Sequence, residues 1–282
     1  MKKIGFILSI SVFILILTGC NGTVTKDLRH DGYNLSQEKF VCSALMPKNE
    51  NEAAPNKIYY MNGTMAITTT GDIYELSFGQ KYSNDENCRK AGSGIKVKTL
   101  MNEDIVKADD GNFYTITNNN GKEAYKVIPE TDDSYDLYRI LLTSDDVKRV
   151  VSGNDGVYYV LFEDGNVYKY IINKPKNDSY TENQENKDQY IIQGKSIVYS
   201  EEKYGKIVDF NIDSNTPSKT YLKTKNKVYR MKATNEKKCN KYADVECDYK
   251  LKKDKVVNKY YKDKILYYGP SIIITTYGRI FN

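Results

Sequence analysis

Apolar and polar positions in this chain alternate with a period of two over short runs, and glycine-containing turns separate the runs. The pattern is clearest in Val147 to Tyr170, VKRVVSGNDGVYYVLFEDGNVYKY. An apolar run (Val147, Val150, Val151) leads into Gly153-Asn154-Asp155-Gly156. A second run, Val157 to Phe162, ends at Asp164-Gly165, and a third begins at Val167. Short runs of β-branched and aromatic residues punctuated by Asp-Gly or Asn-Gly are the local signature of antiparallel hairpins. The spacing therefore predicts a three-stranded meander.

The same stretch recurs along the chain. Lys57 to Leu76, Asp104 to Ile128, Gly205 to Met231 and Asp263 to Asn282 each show two or three such runs around a turn. The anchoring turn positions read as Gly71, Gly121, Gly165, Asn226 and Gly278, spaced by about fifty residues. An aromatic follows three residues later (Tyr74, Tyr168, Tyr229, Phe281), or four in the lengthened copy (Tyr125). Asn at 226 suits a position where the left-handed conformation is required. A fourth run lies between copies: Ile95 to Leu100, Tyr135 to Leu142, Tyr190 to Ile192 with Ile197 to Tyr199, and Tyr249 to Val257. Each repeat is thus expected to be a four-stranded antiparallel sheet that cannot cover both faces alone, which is the logic of a β-propeller. The last copy lacks its fourth run, and Lys39 to Leu45 is strand-like. The expected fold is all-β: a small propeller of about five four-stranded blades, its ring closed by an N-terminal strand.

The first residues fix the expected compartment. Lys2 and Lys3 precede an apolar stretch from Ile4 to Leu17, too short for a comfortable span and of signal-peptide length. It ends in Leu17-Thr18-Gly19-Cys20, which resembles the bacterial lipobox, and that resemblance implies diacylation of Cys20 after removal of residues 1–19. Residues 20–36 then read as a polar, lipid-anchored tether, and 37–282 as the propeller domain. The expected setting is the extracytoplasmic face of a cell membrane.

Loss of Lys2 and Lys3 lowers the net charge from +5 to +3, which is not a nucleic-acid-binding balance. Basic residues concentrate between Lys223 and Lys264, with 15 Lys/Arg against 6 Asp/Glu. Such a run reads first as solvated strand faces that discourage edge pairing, and second as a face toward anionic head groups or wall polymers.

Four cysteines follow Cys20. An even number in an exported chain favours disulfides; Cys239 and Cys247 would clamp one hairpin loop, leaving Cys42 with Cys88 by elimination. Neither pair has CxxC spacing and the only histidine is His30, so no metal site and no cofactor are expected.

The repeats are similar to those of the regulator-of-chromosome-condensation type propellers. The likeness rests on Val147 and Val150 before Ser152-Gly153, on Tyr159-Val160-Leu161, and on Asp164-Gly165-Asn166-Val167-Tyr168. The chain departs from that pattern in having no Trp, no glycine-rich segment after the third strand, and five copies. The resemblance implies architecture and leaves the ligand open.

Catalytic chemistry is sparse in the sequence. Serine or cysteine catalysis needs a histidine near the fold. Asp72, Asp110, Asp155 and Asp164 read as turn residues before they read as hydrolytic or calcium-binding carboxylates. Most of the twenty-six tyrosines, with pairs at Tyr59-Tyr60, Tyr158-Tyr159, Tyr260-Tyr261 and Tyr267-Tyr268, are expected to replace the missing Trp and Phe between sheets, and any exposed on one face would offer rings to a sugar or a protein partner. The expected function is a non-catalytic binding module at the cell envelope, taking a protein partner. A lectin-like propeller for carbohydrate or wall polymer is the second reading, and a carboxylate-dependent hydrolase the third.

Overall fold

The computed structural model describes residues 24–40, 42, 44–46, 57–61, 65–76, 88–90, 94–101, 105–116, 124–127, 146–173, 191–234, 248–261 and 264–282. Twenty strands account for most of them, so the chain is all-β with several antiparallel sheets. Sheet I comprises β2 (Ile58–Met61), β3 (Met65–Thr68), β4 (Ile73–Glu75) and β5 (Arg89–Lys90). Sheet II comprises β6 (Val97–Leu100), β7 (Ile105–Ala108), β8 (Phe113–Ile116) and β9 (Ala124–Val127). Sheet III comprises β10 (Val147–Ser152), β11 (Val157–Phe162), β12 (Val167–Asn173) and β13 (Ile191–Tyr199). Sheet IV comprises β14 (Ile207–Asn211), β15 (Tyr221–Thr224), β16 (Val228–Ala233) and β17 (Tyr249–Lys253). Sheet V comprises β18 (Ile265–Tyr268), β19 (Ile273–Thr275), β20 (Arg279–Phe281) and the early strand β1 (Leu35–Lys39), in the order β1-β20-β19-β18. Sheets II and III join through one parallel pair, Arg149 with Leu100.

One irregularity recurs in every sheet. The first strand shifts register by a residue against the second, between Ile58 and Tyr60, Val97 and Thr99, Val147 and Arg149, Ile207 and Asp209, and Ile265 and Tyr267. A bulge bends a strand and re-aims the side chain that follows it, so the five sheets share one construction at one place.

The core is distributed between sheets. Met61, Ala66 and Tyr74 of sheet I pack with Tyr267, Ile274 and Ile280 of sheet V. Ile67 and Ile73 meet Val97, Leu100 and Val106 of sheet II. Met101 and Ile105 meet Val147, Val150 and Val160 of sheet III. Leu161 and Val167 meet Ile207, Phe210 and Leu222 of sheet IV, and Tyr221 and Val228 meet Tyr268, Ile273 and Phe281 of sheet V. Turn glycines stitch some of these neighbours together. The Gly71 carbonyl accepts from the Val97 N–H at 2.9 Å and that of Gly165 from Ile207 at 3.2 Å, while Gly278 takes the Phe40 N–H at 2.9 Å.

Five sequence expectations need correction, the briefest being Asn226, which does not take the left-handed backbone expected of it: Asp155 alone among the described non-glycine residues has a positive φ. The second copy's turn is Asp110-Gly111, not Gly121, and Ile95 to Leu100 falls in the first strand of sheet II; the last strand of sheet I is Arg89–Lys90. The reason is that Gly111, at φ 83°, makes the tight β7–β8 turn, while Gly121 lies outside the described residues.

The strand placed at Lys39 to Leu45 is instead Leu35–Lys39, pairing Leu35 with Phe281 and Lys39 with Arg279. Its sequence LSQEK is polar because it lies at the edge of its sheet; Phe40, Cys42 and Leu45 just beyond it fill the core.

The expected tether, residues 20–36, is folded from residue 24. Residues 24–30 are helical, and Val24, Leu28 and Tyr33 are buried with Val257 and Phe281. Val24 and Leu28 stand four apart, on one helix face.

The run Tyr249 to Val257 is strand only to Lys253. Asp254 then caps a helix, Lys255–Tyr260, by accepting the Val257 N–H at 2.9 Å, so Tyr260-Tyr261 is not a strand pair. No helix among the described residues is long and apolar enough to cross a membrane.

Candidate functional site

The residue after each first-strand bulge is equivalent in all five sheets: Tyr60, Thr99, Arg149, Asp209 and Tyr267. All five are buried, and four of them, Tyr60, Arg149, Asp209 and Tyr267, join in one cluster. Arg149 Nη1 donates to Asp209 Oδ1, while Lys223 Nζ of β15 lies 2.5 Å from Asp209 Oδ2. Tyr221 donates to the same Oδ2 at 3.2 Å, and Lys223 donates to the Tyr268 carbonyl at 2.9 Å. The Arg149 guanidinium lies 5.6 Å from the Tyr60 ring, 5.9 Å from Tyr59 and 6.0 Å from Phe210. Lys223 Nζ lies 5.2 Å from the Tyr267 ring. Thr99 Oγ1 donates to the Val147 carbonyl at 2.9 Å, and Tyr267 Oη accepts the Met61 N–H at 3.3 Å.

Two cations facing one carboxylate leave one positive charge in excess in a buried site. Uncompensated, that would be prohibitive; the ring faces supply the missing negative potential. Arg149 Nε has no hydrogen-bond partner among the described residues.

Burial opposes ionisation of Asp209, but Arg149 and Lys223 outweigh it and hold the carboxyl below its ordinary range. Burial lowers the Lys223 ammonium, with the like charge of Arg149 adding to it and Asp209 opposing. Burial likewise opposes the charge on Arg149, yet Asp209 and the surrounding tyrosines raise it above its usual value. Burial raises Tyr59 and Tyr267, and Tyr268 to about 12. A carboxylate pinned by two cations and a phenol has no basicity to spare for proton transfer near neutral pH.

Above this cluster opens a cavity of about 820 Å³. Its apolar wall includes Met61, Leu100, Val150, Ile212 and Ile280, and Arg149 lines it too. Polar uncharged groups come from the first-strand ends and the turns after them: Ser152, Asn154, Asn211, Ser214, Asn215 and Ser271. Asn154 Nδ2 donates to Asn215 Oδ1 at 3.1 Å across sheets III and IV. Of the carboxylates at the cavity, Asp213 Oδ1 already accepts the N–H groups of Asn215 and Thr216 at 2.9 and 2.7 Å. The cavity therefore combines apolar area with amides, hydroxyls and the charged Glu38, Asp213 and Lys219, the make-up of a binding surface.

The four aspartates singled out in the sequence all sit in turns. Asp110 Oδ1 accepts the Asn112 N–H at 2.9 Å and Oδ2 the Tyr114 hydroxyl at 2.7 Å; Asp164 does the same with Asn166 at 2.8 Å and Tyr168 at 3.3 Å. Asp155 sits at φ 53° in its turn. Asp72 has a second duty, holding Lys90 and Lys96 at 2.6 Å each. Burial works against its charge, but the two lysines and Thr70 bring the carboxyl down to about 2.

Cys42 is disulfide-bonded to Cys88, with Cα atoms 5.2 Å apart. Cys20, Cys239 and Cys247 lie outside the described residues. Among the described residues no group of three or more His, Cys, Asp and Glu is placed to hold a metal ion.

Reading the sequence for apolar alternation misses Arg149, Asp209 and Lys223. The bulge explains the miss: Arg149 and Asp209 stand opposite Leu161 and Lys223, on the other face of the sheet from Val147 and Ile207, so strict alternation counted from the start of each strand misplaces them. No family model matches the chain, and no curated protein matches it.

Proposed function

We propose that this chain is an extracytoplasmic lipoprotein, anchored through a diacylated Cys20, whose body is a closed five-bladed β-propeller acting as a non-catalytic binding module. Its repeats resemble those of the regulator-of-chromosome-condensation type. Closure is supported by the cyclic sequence of inter-sheet cores, V with I, I with II, II with III, III with IV and IV with V, and by the pairing of β1 with β20. The anchor is supported by the Leu17-Thr18-Gly19-Cys20 motif after a signal-length apolar stretch.

The observation that carries the binding role is the cavity at the ends of the first strands. Residues of all five sheets line it, among them Tyr60 and the internally engaged Arg149, and its walls combine apolar area with amides, hydroxyls and the charged Glu38, Asp213 and Lys219. A side chain or loop of a protein partner at the cell envelope fits such a cavity. The Asn and Ser lining favours a second reading, since the same groups hydrogen-bond sugar hydroxyls. A carboxylate-dependent hydrolase is the weakest reading: of the two acidic side chains lining the cavity, Glu38 and Asp213, the second is committed to the N–H groups of Asn215 and Thr216, and that chemistry needs a pair.

Globomycin should accumulate precursor and release the protein from the membrane fraction; unchanged size and fractionation would remove the anchor. Asn154→Arg and Asn215→Arg, which fill the cavity, should abolish capture of a partner from envelope extracts while leaving thermal stability within about 1 kcal/mol of wild type. Saturable binding on a glycan array, lost in the same variants, would move the assignment to the lectin reading.

A further inference from the structure

The basic segment and the proposed anchor meet at one place on the fold. Residues 24–30 pack against the helix Lys255–Tyr260: the Asp27 carboxylate accepts the Tyr260 hydroxyl at 2.6 Å and pairs with Lys259 at 3.4 Å. Just beyond them, Asp31 pairs with Lys232 of β16 at 3.2 Å. Beside this contact runs β17, the last strand of its sheet, with Lys250, Lys252 and Lys253 exposed, followed by exposed Lys255. Residues 24–30 add exposed Lys26 and Arg29.

The acidic groups facing this region are accounted for. Asp27 and Asp31 are engaged by Lys259 and Lys232, and Asp254 is fully buried as a helix cap. Exposed Asp248 stands at the start of β17. Lys26, Arg29, Lys250, Lys252, Lys253 and Lys255 are left without an ion-pair partner among the described residues.

Covalent geometry then limits how far this surface can be from a lipid attached at residue 20. Four Cα steps separate residue 20 from residue 24, a reach of no more than about 14 Å. The field of an anionic leaflet extends over a Debye length, about 8–10 Å at physiological salt. A solvated edge strand anywhere else on the molecule would be as well served by lysines; this one lies beside the segment that leads to the anchor.

We infer that the surface formed by residues 24–30, β17 and the start of the helix Lys255–Tyr260 docks on anionic phospholipid head groups and fixes the orientation of the body on the membrane. The inference rests on the anchored reading for its geometry, but its charge component is testable without the lipid.

The test uses the mature chain from residue 20 carrying Cys20→Ser. Co-sedimentation with vesicles containing about one-third phosphatidylglycerol should exceed that with pure phosphatidylcholine vesicles by about tenfold or more, and the excess should vanish as salt rises from about 50 mM to about 500 mM. Lys250→Glu, Lys252→Glu, Lys253→Glu and Lys255→Glu together should reduce binding to the phosphatidylcholine level with an unchanged circular dichroism spectrum. Lys→Gln at the same four positions should give an intermediate loss, and it replaces the Glu variant if that fails to fold. Reversal of Lys195, Lys203 and Lys206, between sheets III and IV, should change nothing.

Equal binding to both vesicle types, or retention of binding by the quadruple variants, would overturn the inference. So would saturable binding to a soluble polyphosphate with none to vesicles, which would assign the surface to an anionic polymer. Acylation of Cys20, followed by globomycin sensitivity, fails or succeeds independently. An acylated protein whose Cys20→Ser form ignores phosphatidylglycerol loses the docking surface and keeps the anchor.

Discussion

Two groups of three charges, each a carboxylate between two cations, sit at opposite extremes of this fold. Asp209 lies between Arg149 and Lys223 with every side chain about 5% exposed. Asp72 lies between Lys90 and Lys96, whose side chains are 57% and 42% exposed. Composition and stoichiometry match, yet the physics differs. The inner group has been taken out of water, so each member depends on the others; the outer group sits in high dielectric and keeps its solvent. The inner three come from β10, β14 and β15 and tie sheet III to sheet IV, whereas the outer three pin a turn to its own sheet's edge and to the start of β6.

The largest expected effect follows from that contrast. Asp209→Ala leaves two buried cations unpaired and should cost about 3–5 kcal/mol in chemical denaturation, if the chain folds at all. Replacing the whole group, with Arg149→Met, Asp209→Leu and Lys223→Met, removes the unpaired charge along with the pair and should cost less than the single change. If the triple variant is the worse of the two, the charges themselves hold the sheets together and the comparison fails. Next comes the covalent tie at sheet I. The Cys42–Cys88 bridge closes a separation of 46 residues, and chain-entropy arguments give about 2–4 kcal/mol for such a loop. Cys42→Ala with Cys88→Ala should lower the denaturation midpoint accordingly, and reductant should lower wild type further than it lowers the variant, by that same increment. Because Cys88 directly precedes β5, that edge is held by sulfur far more than by Lys90.

How much of this is legible in the sequence depends on which physical rule governs each element. The hairpins of sheet III are legible residue by residue, because turn chemistry and alternation are local. Sheet II is misread although Asp110-Gly111-Asn112-Phe113-Tyr114 repeats Asp164-Gly165-Asn166-Val167-Tyr168 nearly letter for letter. The three-residue spacing from Gly111 to Tyr114 is the signal that corrects it. Residues 24–36 look like a tether because their few apolar residues are diluted by charge, and only the four-residue spacing of Val24 and Leu28 marks the helix. Arg149 and Asp209 escape a reading of alternation confined to apolar residues. Alternation specifies the side a residue faces only until a bulge shifts the phase, as one does between Val147 and Arg149 and between Ile207 and Asp209. That these charges meet across sheets is a long-range fact no local pattern carries.

The glycine turns extend the contrast between inner and outer positions. Gly165 and Gly111 share a left-handed backbone, at φ 84° and 83°. A Cβ on Gly165 would meet Lys206 Cγ at 2.7 Å and the Ile207 nitrogen at 3.1 Å, whereas one on Gly111 meets nothing. Gly111→Ala should therefore show the conformational cost alone, about 1–2 kcal/mol. Gly165→Ala should cost more, because the approach of sheet IV has to loosen. Equal losses in the two variants would mean that the close approach at Gly165 relaxes freely.

The smallest effect is expected at Asp72, and its pH dependence is its signature. The folded carboxyl is held at about 2 against an ordinary value of 3.8, so its ionised form stabilises the fold, fully above the ordinary value. That contribution drains away as the pH falls from about 4 to about 2, because protonation then removes the charge in the folded state as well. The exposed lysines limit its size to less than about 1 kcal/mol. The gap in denaturation midpoint between wild type and Asp72→Asn should stay constant from pH 8 to about pH 5 and close toward pH 2. It should also shrink at about 1 M salt, where the penalty of Asp209→Ala should change far less because salt screens buried charges weakly. A gap that persists at pH 2 would show that Asp72 acts through its turn, where its Oδ2 accepts the Thr70 hydroxyl, and that its charge contributes nothing.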